Sequence, residues 1–489
     1  MFAKIYSIKL WWIALFIVLA TASFFSFYRL SESPPVWYDE GIFFQAAVNM
    51  SNGDGHSIQI APNTFIPGQA ITTGLTVTYP ISLVFRLFGV SLLSARIVMT
   101  LYILLTVVLA WRFLSEVAGS RVALYGAALL VSFAPLYGHG KSVMGEVPGV
   151  FFLLLFLYTL YRLEKAQSLP IYALSGLAAG LCVITKPTLL ILLPVITVVG
   201  MLLYKRMGFS KLGFLWFFIS FTVPFVVWLF VQFSDTGSIN ELAHYLNPNS
   251  VSISEAVILN IKRFFSELQP AYFLSLLSIW GISMFTRWRR SETPTMAECA
   301  AFGFSLLTFL SFFRTSGYYR YFFPGQIVAL LFLPLSLFNF FGIFSHRPFK
   351  SPRSLLVVPH ILLAGIIAFQ FYQTSFHSWI AAYYNGTNSA QLEIFAKRLD
   401  ASKTIFLYNV PEVAIFLPAN FGYFQYLKIS KDIIIGKEEL RQIQRGVPDF
   451  IIMTNLYWSE HRDQFAGYTV TTTDLTRYSV LERTEKFNF

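Results

Sequence analysis

The chain has 489 residues, of which 55% are hydrophobic and 12% charged, with a mean hydropathy of +0.59. That balance excludes an ordinary soluble domain and a disordered chain, and points to a protein that crosses a membrane many times. The formal net charge of +11 does not indicate nucleic acid, because residues 380–489 carry 12 basic and 12 acidic side chains and the whole excess therefore lies in the apolar part.

From the N-terminus, runs of about 17 to 25 mostly apolar residues recur, each long enough to span a bilayer as a helix. They cover 10–28, 94–114, 121–138, 147–163, 170–185, 188–204, 212–232, 270–286, 297–313, 322–343 and 354–372, which predicts about eleven transmembrane helices. The first run has a weakly basic start and no small-residue cleavage site, so it reads as a retained span rather than a signal peptide. With the N-terminus inside, alternation puts 15 of the 24 Lys and Arg residues before position 380 on the cytoplasmic side, as short cytoplasmic loops require. The other side then receives Asp39, Glu40, Glu146 and the C-terminal tail. For a bacterial cell this means the inner membrane, with the tail in the periplasm.

Residues 31–93 are too long for a simple connection and too polar to span. Ile42, Phe43, Ala46, Ala47 and Met50 share one helical face, Gly53-Asp54-Gly55 turns the chain, and Thr78–Phe88 gives a second apolar face ending at Gly89. These pieces read as helices lying in the membrane interface. A second external loop, from about 233 to 269, has a turn at Asn247-Pro248-Asn249 and a helix over Ile253–Phe265. Beyond Tyr372 the composition becomes that of a small soluble unit, giving a membrane module over 1–375 and an extracytoplasmic α/β domain over 376–489. In that domain Leu392, Phe395, Ala396 and Leu399 form a helical stripe, Thr404–Asn409 and Phe450–Thr454 read as buried strands, and Tyr468–Thr473 with Tyr478–Arg483 as a final pair. Gly436–Gly446 reads as a helix, and no glycine-rich phosphate loop follows any strand. Asn385-Gly386-Thr387 is a glycosylation sequon. Cys182 and Cys299 both fall in predicted spans and provide no disulfide framework.

With that topology, the polar residues at the outer ends of the spans converge on one membrane surface. Asp39 and Glu40 follow the first span; His139, Lys141 and Glu146 lie between the third and fourth; Lys186 lies between the fifth and sixth; Arg320 and Tyr321 precede the tenth. A charge at membrane depth costs roughly 2.5–3.5 kcal/mol on insertion scales, so such residues are functional candidates by default. Each also has a plain structural reading. Asp39 and Glu40 fit a solvated loop end, Glu146 a helix cap, Lys186 a snorkelling cation, Arg320 and Tyr321 an interfacial pair, and His139 an incidental residue between Gly138 and Gly140.

In this order and at these depths, the elements resemble the GT-C glycosyltransferases of the protein O-mannosyltransferase and aminoarabinose transferase type. The resemblance runs over roughly residues 10–345. It rests on Tyr38-Asp39-Glu40, Leu87-Phe88-Gly89-Val90-Ser91 with Ala95-Arg96, Ala134-Pro135 with Glu146, Gly176 to Gly180 leading to Thr185-Lys186-Pro187, and Arg320-Tyr321 with Pro324. It implies a mainly α, polytopic membrane protein that moves a sugar from a polyprenyl phosphate to a hydroxyl of a glycan, lipid or protein. By the same resemblance Asp39 is the catalytic base and Glu40 and Glu146 are supporting acids. Lys186 and Arg320 are candidates for the lipid phosphate, and His139, Lys141 and Tyr321 are further substrate contacts. No cofactor follows from the residues, and a divalent metal is left open by the relatives.

The chain departs from the aminoarabinose type in one respect: after Gly41-Ile42-Phe43 it has no Lys or Arg until Arg86. The chemistry matches this inventory all the same. A polyprenyl phosphate is a good leaving group, so one base suffices where glycoside hydrolysis needs two working carboxylates, and inversion at the anomeric carbon is expected. The alternatives are a ligase or polymerase acting on polyprenyl-pyrophosphate glycans, which has no need of Asp-Glu after the first span, and a lipid-linked sugar transporter. A transporter is expected to show two matching halves with charges at mid-membrane.

Overall fold

The computed structural model describes residues 2–68, 71–207, 210–232, 252–315, 317–345, 357–378, 387–400, 402–418, 421–429, 434–471 and 475–484. The predicted turn at Asn247-Pro248-Asn249 and most of the sequon at Asn385 lie outside these residues. Helix α1 (Phe2–Phe27) is followed by α2 (Tyr38–Asn52), a hairpin of β1 (Ser57–Ala61) and β2 (Thr64–Pro67), and α3 (Leu75–Phe88). Then come α4 (Leu92–Ala118), α5 (Ser120–Ser132), α6 (Ala134–Lys141), α7 (Glu146–Lys165), α8 (Leu169–Thr185), α9 (Leu192–Met207) and α10 (Lys211–Gln232). The membrane part closes with α11 (Ile253–Ser266), α12 (Leu268–Arg289), α13 (Met296–Phe312), α14 (Phe323–Ser345) and α15 (Val358–Phe376).

All eleven apolar runs fall on helices, one of them bent. By length and composition five described helices can cross a membrane, α4, α7, α10, α12 and Phe323–Gly342 of α14, and α5 with α6 makes a sixth. The others are shorter apolar helices, so the expected count of eleven crossings is not reached by this measure. The break between α5 and α6 is a 62° bend with a local cause. Pro135 lacks an N–H and its ring excludes the Val131 carbonyl from the helical ladder. That carbonyl instead accepts a 2.8 Å hydrogen bond from the buried Tyr137 hydroxyl.

One apolar core joins α1, α4, α5, α7, α8 and α12 to α14, with Trp280 stacked on Phe332 at 4.4 Å between ring centroids. Helices α8 and α10 approach closely because Gly176 and Gly180 lie four residues apart on one face. A Cβ at either position meets the Phe217 or Phe221 carbonyl or Pro224, which is small-residue packing between membrane helices. At the ends of α4 and α7 opposite the Asp39 side, Glu116 accepts from Arg112 at 2.6 Å and from Arg162 at 3.3 Å. Basic residues assigned to the cytoplasmic face are thus gathered at one end.

One expectation for residues 31–93 changes, and one element is new. Helix α2 does not lie in an interface with one face exposed, because every residue from Glu40 to Asn49 is buried. It is mostly apolar all round, as a core helix must be. The turn at Gly53-Asp54-Gly55 leads into an antiparallel hairpin, β1 with β2, in a stretch for which no element was expected. Helix α3 does keep an interfacial character. It buries Val77, Ile81 and Phe85 while exposing Tyr79, Leu83, Leu87 and Phe88 along the opposite side. Its Arg86 donates to the Met50 and Ser51 carbonyls at 2.9 Å and so closes the C-terminal end of α2.

The C-terminal part holds α16 (Thr387–Arg398), β3 (Ile405–Tyr408), β4 (Tyr423–Lys428), β5 (Ile434–Ile435), α17 (Leu440–Gln444), β6 (Phe450–Thr454), α18 (Asn455–His461), β7 (Tyr468–Thr471) and β8 (Tyr478–Arg483). The strands form one sheet in the order β5-β4-β3-β6-β8-β7, parallel across β4-β3-β6 and antiparallel elsewhere. Alternation along β3 feeds a core on each face. Ile405 and Leu407 pack with Leu392 of α16, whereas Phe406 and Tyr408 pack with Ile443 and Phe465. The two predicted buried strands and the final pair are present. β4, interrupted by polar Gln425, was not expected.

Candidate active site

Asp39 and Glu40 occupy the first turn of α2, where a carboxylate suits the positive end of the helix dipole. Neighbouring residues on a helix point about 100° apart, so the two acids part company. Glu40 turns inward. Its oxygens take the Arg96 guanidinium in a two-point pair at 2.9 and 2.8 Å, and Oε1 also accepts from the Val143 amide at 3.1 Å. Both side chains are fully buried, and Arg96 donates its remaining Nη1 to the Leu30 carbonyl at 3.0 Å. The bidentate geometry satisfies both partners. Lys141 lies on the same inner side, beside Arg96, with its ammonium on the Tyr28 carbonyl at 2.7 Å.

Asp39 turns the other way and pairs through Oδ2 with Nη1 of Arg320. Arg320 lies in a single 3-10 turn, Tyr319–Tyr321, just before α14. Its guanidinium is enclosed by three rings, Trp37 at 5.5 Å, Tyr318 at 5.5 Å and Tyr321 at 5.4 Å from their centroids. Burial works against its charge, but Asp39 and Tyr321 outweigh that and hold its pKa above the ordinary guanidinium value. Its Nε–H is buried and has no acceptor among the described residues.

Beside this pair, close enough for Glu146 to act on Arg320, lies a second one. Glu146 opens α7 and Lys186 follows the last residue of α8, so an anion stands at a helix N-terminus and a cation at a C-terminus. They are hydrogen-bonded and nearly completely buried, while Glu146 Oε2 has no partner among the described residues. The His139 ring lies at 5.5 Å from Tyr319 and 4.9 Å from Phe323, and Glu146, Lys186 and Arg320 all act on it electrostatically. Asp39, Glu146, His139, Lys186, Arg320 and Tyr321 therefore form one cluster. Glu40 and Lys141 are held in the Arg96 network beside it.

The C-terminal part also reaches the cluster. The Tyr38 hydroxyl donates to Asn409 Oδ1 at 3.1 Å, and burial, Asp39 and Glu412 all raise its pKa. Glu412 is buried, accepts from the Tyr478 hydroxyl at 2.9 Å, and has its carboxyl pushed above the usual range by burial. Gly41 makes this approach possible, because a Cβ there falls 2.3 Å from the Glu412 amide nitrogen. Sequence reasoning did not find Trp37, Tyr318 or Glu412. The aromatic run Tyr318-Tyr319-Arg320-Tyr321 was the available signal for the first two, and Gly41 directly after the acid pair was the signal for a backbone contact. Among the described residues no group of three or more His, Cys, Asp or Glu side chains stands together as a metal site. The donor set of these described side chains does not fit a divalent ion held by them alone.

Residues 73–230 match the family model described as dolichyl-phosphate-mannose-protein mannosyltransferase. No curated protein sequence matches the chain. Among solved structures, ArnT from Cupriavidus metallidurans bound to undecaprenyl phosphate is similar at 14% identity with a TM-score of 0.61, over 97% of this chain and 98% of that one. The oligosaccharyltransferase of Archaeoglobus fulgidus, in complex with Zn and sulfate, is similar at 13% identity with a TM-score of 0.56, over 96% of this chain and 74% of that one. The archaeal oligosaccharyltransferase AglB from Archaeoglobus fulgidus, in complex with an inhibitory peptide and a dolichol-phosphate, is similar at 12% identity with a TM-score of 0.54, over 90% of this chain and 69% of that one. The fold is therefore that of the GT-C glycosyltransferases, an integral membrane architecture with a small C-terminal sheet.

Proposed function

We propose that this chain, with its GT-C fold, is a membrane glycosyltransferase that moves one sugar from a polyprenyl phosphate to a hydroxyl acceptor on the extracytoplasmic side. The observation that carries the reading is the Asp39–Arg320 pair beside the Glu146–Lys186 pair, the second of which lies inside the segment that matches the mannosyltransferase model. The acceptor is a glycan, a lipid or a protein.

In the free protein Arg320 neutralises Asp39. A donor phosphate competes for the same guanidinium, whose Nε–H is uncommitted, and takes over part of its charge. Asp39 is thereby released as a base. It removes the proton of the acceptor hydroxyl, whose oxygen attacks the anomeric carbon from the face opposite the phosphate. The bond to the phosphate oxygen breaks, its electron pair leaves with the polyprenyl phosphate, and the configuration inverts. Charge on that oxygen grows as the bond breaks, so a cation there acts more strongly in the transition state than in the ground state. Arg320 and Lys186 supply the cations, and Glu146 holds Lys186 in place. Tyr321 and His139 line the path.

Purified protein with a radiolabelled polyprenyl-phosphate sugar tests this directly. Arg320→Met, and Lys186→Met combined with Glu146→Gln so that no buried carboxylate is left unpaired, are expected to lower kcat by roughly 10²–10³-fold while raising KM for the donor by much less. Unchanged constants in both variants sink the phosphate assignment.

The sidedness is tested separately. A reporter fused after Phe489 is expected outside the cytoplasm and one fused after Arg290 inside. The motivation is the basic-residue asymmetry and the gathering of Arg112 and Arg162 around Glu116. A cytoplasmic C-terminus reverses the orientation and removes Asp39 from the extracytoplasmic face.

A further inference from the structure

Away from the charged cluster, the far end of α2, the β1–β2 hairpin and the segment leading into β4 enclose a pocket of about 380 Å³. It is lined by Asn49, Asn52, Asp54, Gln59, Asn63 and Phe65, with Phe421 and Gly422 opposite. Ordinary small-molecule pockets are mostly apolar with a few polar groups. This one inverts that ratio, since four amides and one carboxylate face two aromatic rings. Its walls are fixed before any ligand arrives. Asn49 donates to the Ser57 carbonyl at 2.9 Å, and Gln59 donates to the Tyr423 carbonyl at 3.1 Å, which ties the hairpin to the sheet.

We propose that this pocket is a carbohydrate subsite that holds the distal part of a glycan acceptor made of neutral or amino sugars. Amides both donate and accept, as hydroxyl-rich rings require, and the Phe65 and Phe421 rings offer apolar surface to the C–H face of a sugar. None of the lining residues is Lys or Arg, and Asp54 repels anions, so a phosphorylated glycan does not fit. The position relative to the base agrees. Helix α2 runs from Asp39 to the pocket, and at about 1.5 Å per residue Asn49 and Asn52 stand roughly 15–20 Å from Asp39 along its axis. That separation is the length of an oligosaccharide of a few units, so one acceptor can reach both the pocket and Asp39. The inference rests on the transferase reading for its role, although binding itself does not.

The test uses the full chain in lipid nanodiscs, fluorescently labelled, on an array of defined neutral, amino-bearing and phosphorylated oligosaccharides with no donor present. Retention of neutral or amino glycans is expected, and Asn52→Ala with Asn63→Gly is expected to weaken it roughly tenfold or more. Both side chains are exposed, and glycine readily takes the φ of 58° found at Asn63, so the double variant keeps its fold. No retained glycan, retention of phosphorylated glycans alone, or retention unchanged in the double variant overturns the subsite. Because the array contains no donor, failure of the unaltered chain to transfer sugar from any polyprenyl-phosphate donor sinks the transferase reading without touching the subsite. A blank array beside a working transfer assay sinks only the subsite.

Discussion

Asp39→Asn is expected to lower sugar transfer from a polyprenyl-phosphate donor by roughly 10²–10⁴-fold, the range that a positioned general base contributes. The substitution keeps the size of the side chain and one oxygen for Arg320, so the fold and the three-ring enclosure of the guanidinium survive. What it removes is the group that takes the acceptor proton. Expression and thermal stability are therefore expected to match the unaltered chain while kcat collapses. Near-normal turnover of the purified variant excludes Asp39 as the base.

Glu40→Gln, one residue further on, is expected to fail in a different way. Removing one partner of a fully buried, hydrogen-bonded ion pair leaves an uncompensated charge and costs about 3–5 kcal/mol. Total stabilities are about 5–15 kcal/mol, so the variant is expected to accumulate poorly and to melt well below the unaltered chain. Arg96→Met should do the same from the other side. Glu40→Leu with Arg96→Met replaces both charges with apolar groups and is expected to recover most of the loss. A Glu40→Gln protein of normal thermal stability but low kcat places Glu40 in the chemistry and rejects the structural role.

The contrast between these two acids marks where sequence reasoning stops. Periodicity and run length placed the apolar helices, and the polar residues between the runs marked their ends, because membrane insertion acts on local composition. The order of Asp39, Glu146, Lys186 and Arg320 along those ends was equally legible. Which of two adjacent carboxylates faces a cavity is set by helix rotation and by a distant Arg96, and nothing local in Tyr38-Asp39-Glu40 encodes either. The same holds for α2, whose apolar face suggested an interface because its polar positions found partners that periodicity does not show, Gln45 far along the chain at Gln425 and Asn49 in the hairpin that follows. The pairing of His139 with Tyr319 and Phe323 likewise depends on the bend that Pro135 imposes, which a span drawn straight over 121–138 does not include.

Gln45 and Gln425 exchange hydrogen bonds through both amides at 3.1 Å, Gln45 also reaches the Pro411 carbonyl at 3.2 Å, and Gln425 donates to the Gln59 carbonyl at 3.0 Å. Ile415, Leu427 and Ile435 share a core with Ile42, Phe43 and Ile58. Residues separated by more than three hundred positions are thus stitched into one piece that carries Asp39 at its edge. For protein engineering this sets the unit of exchange. A chimaera that swaps only the tail after α15 cuts through the glutamine stitch and leaves both of its halves with buried amides unpaired. One that moves residues 38–67 together with the tail keeps the stitch whole and carries the Asp39 helix along with whatever acceptor the transplanted piece brings.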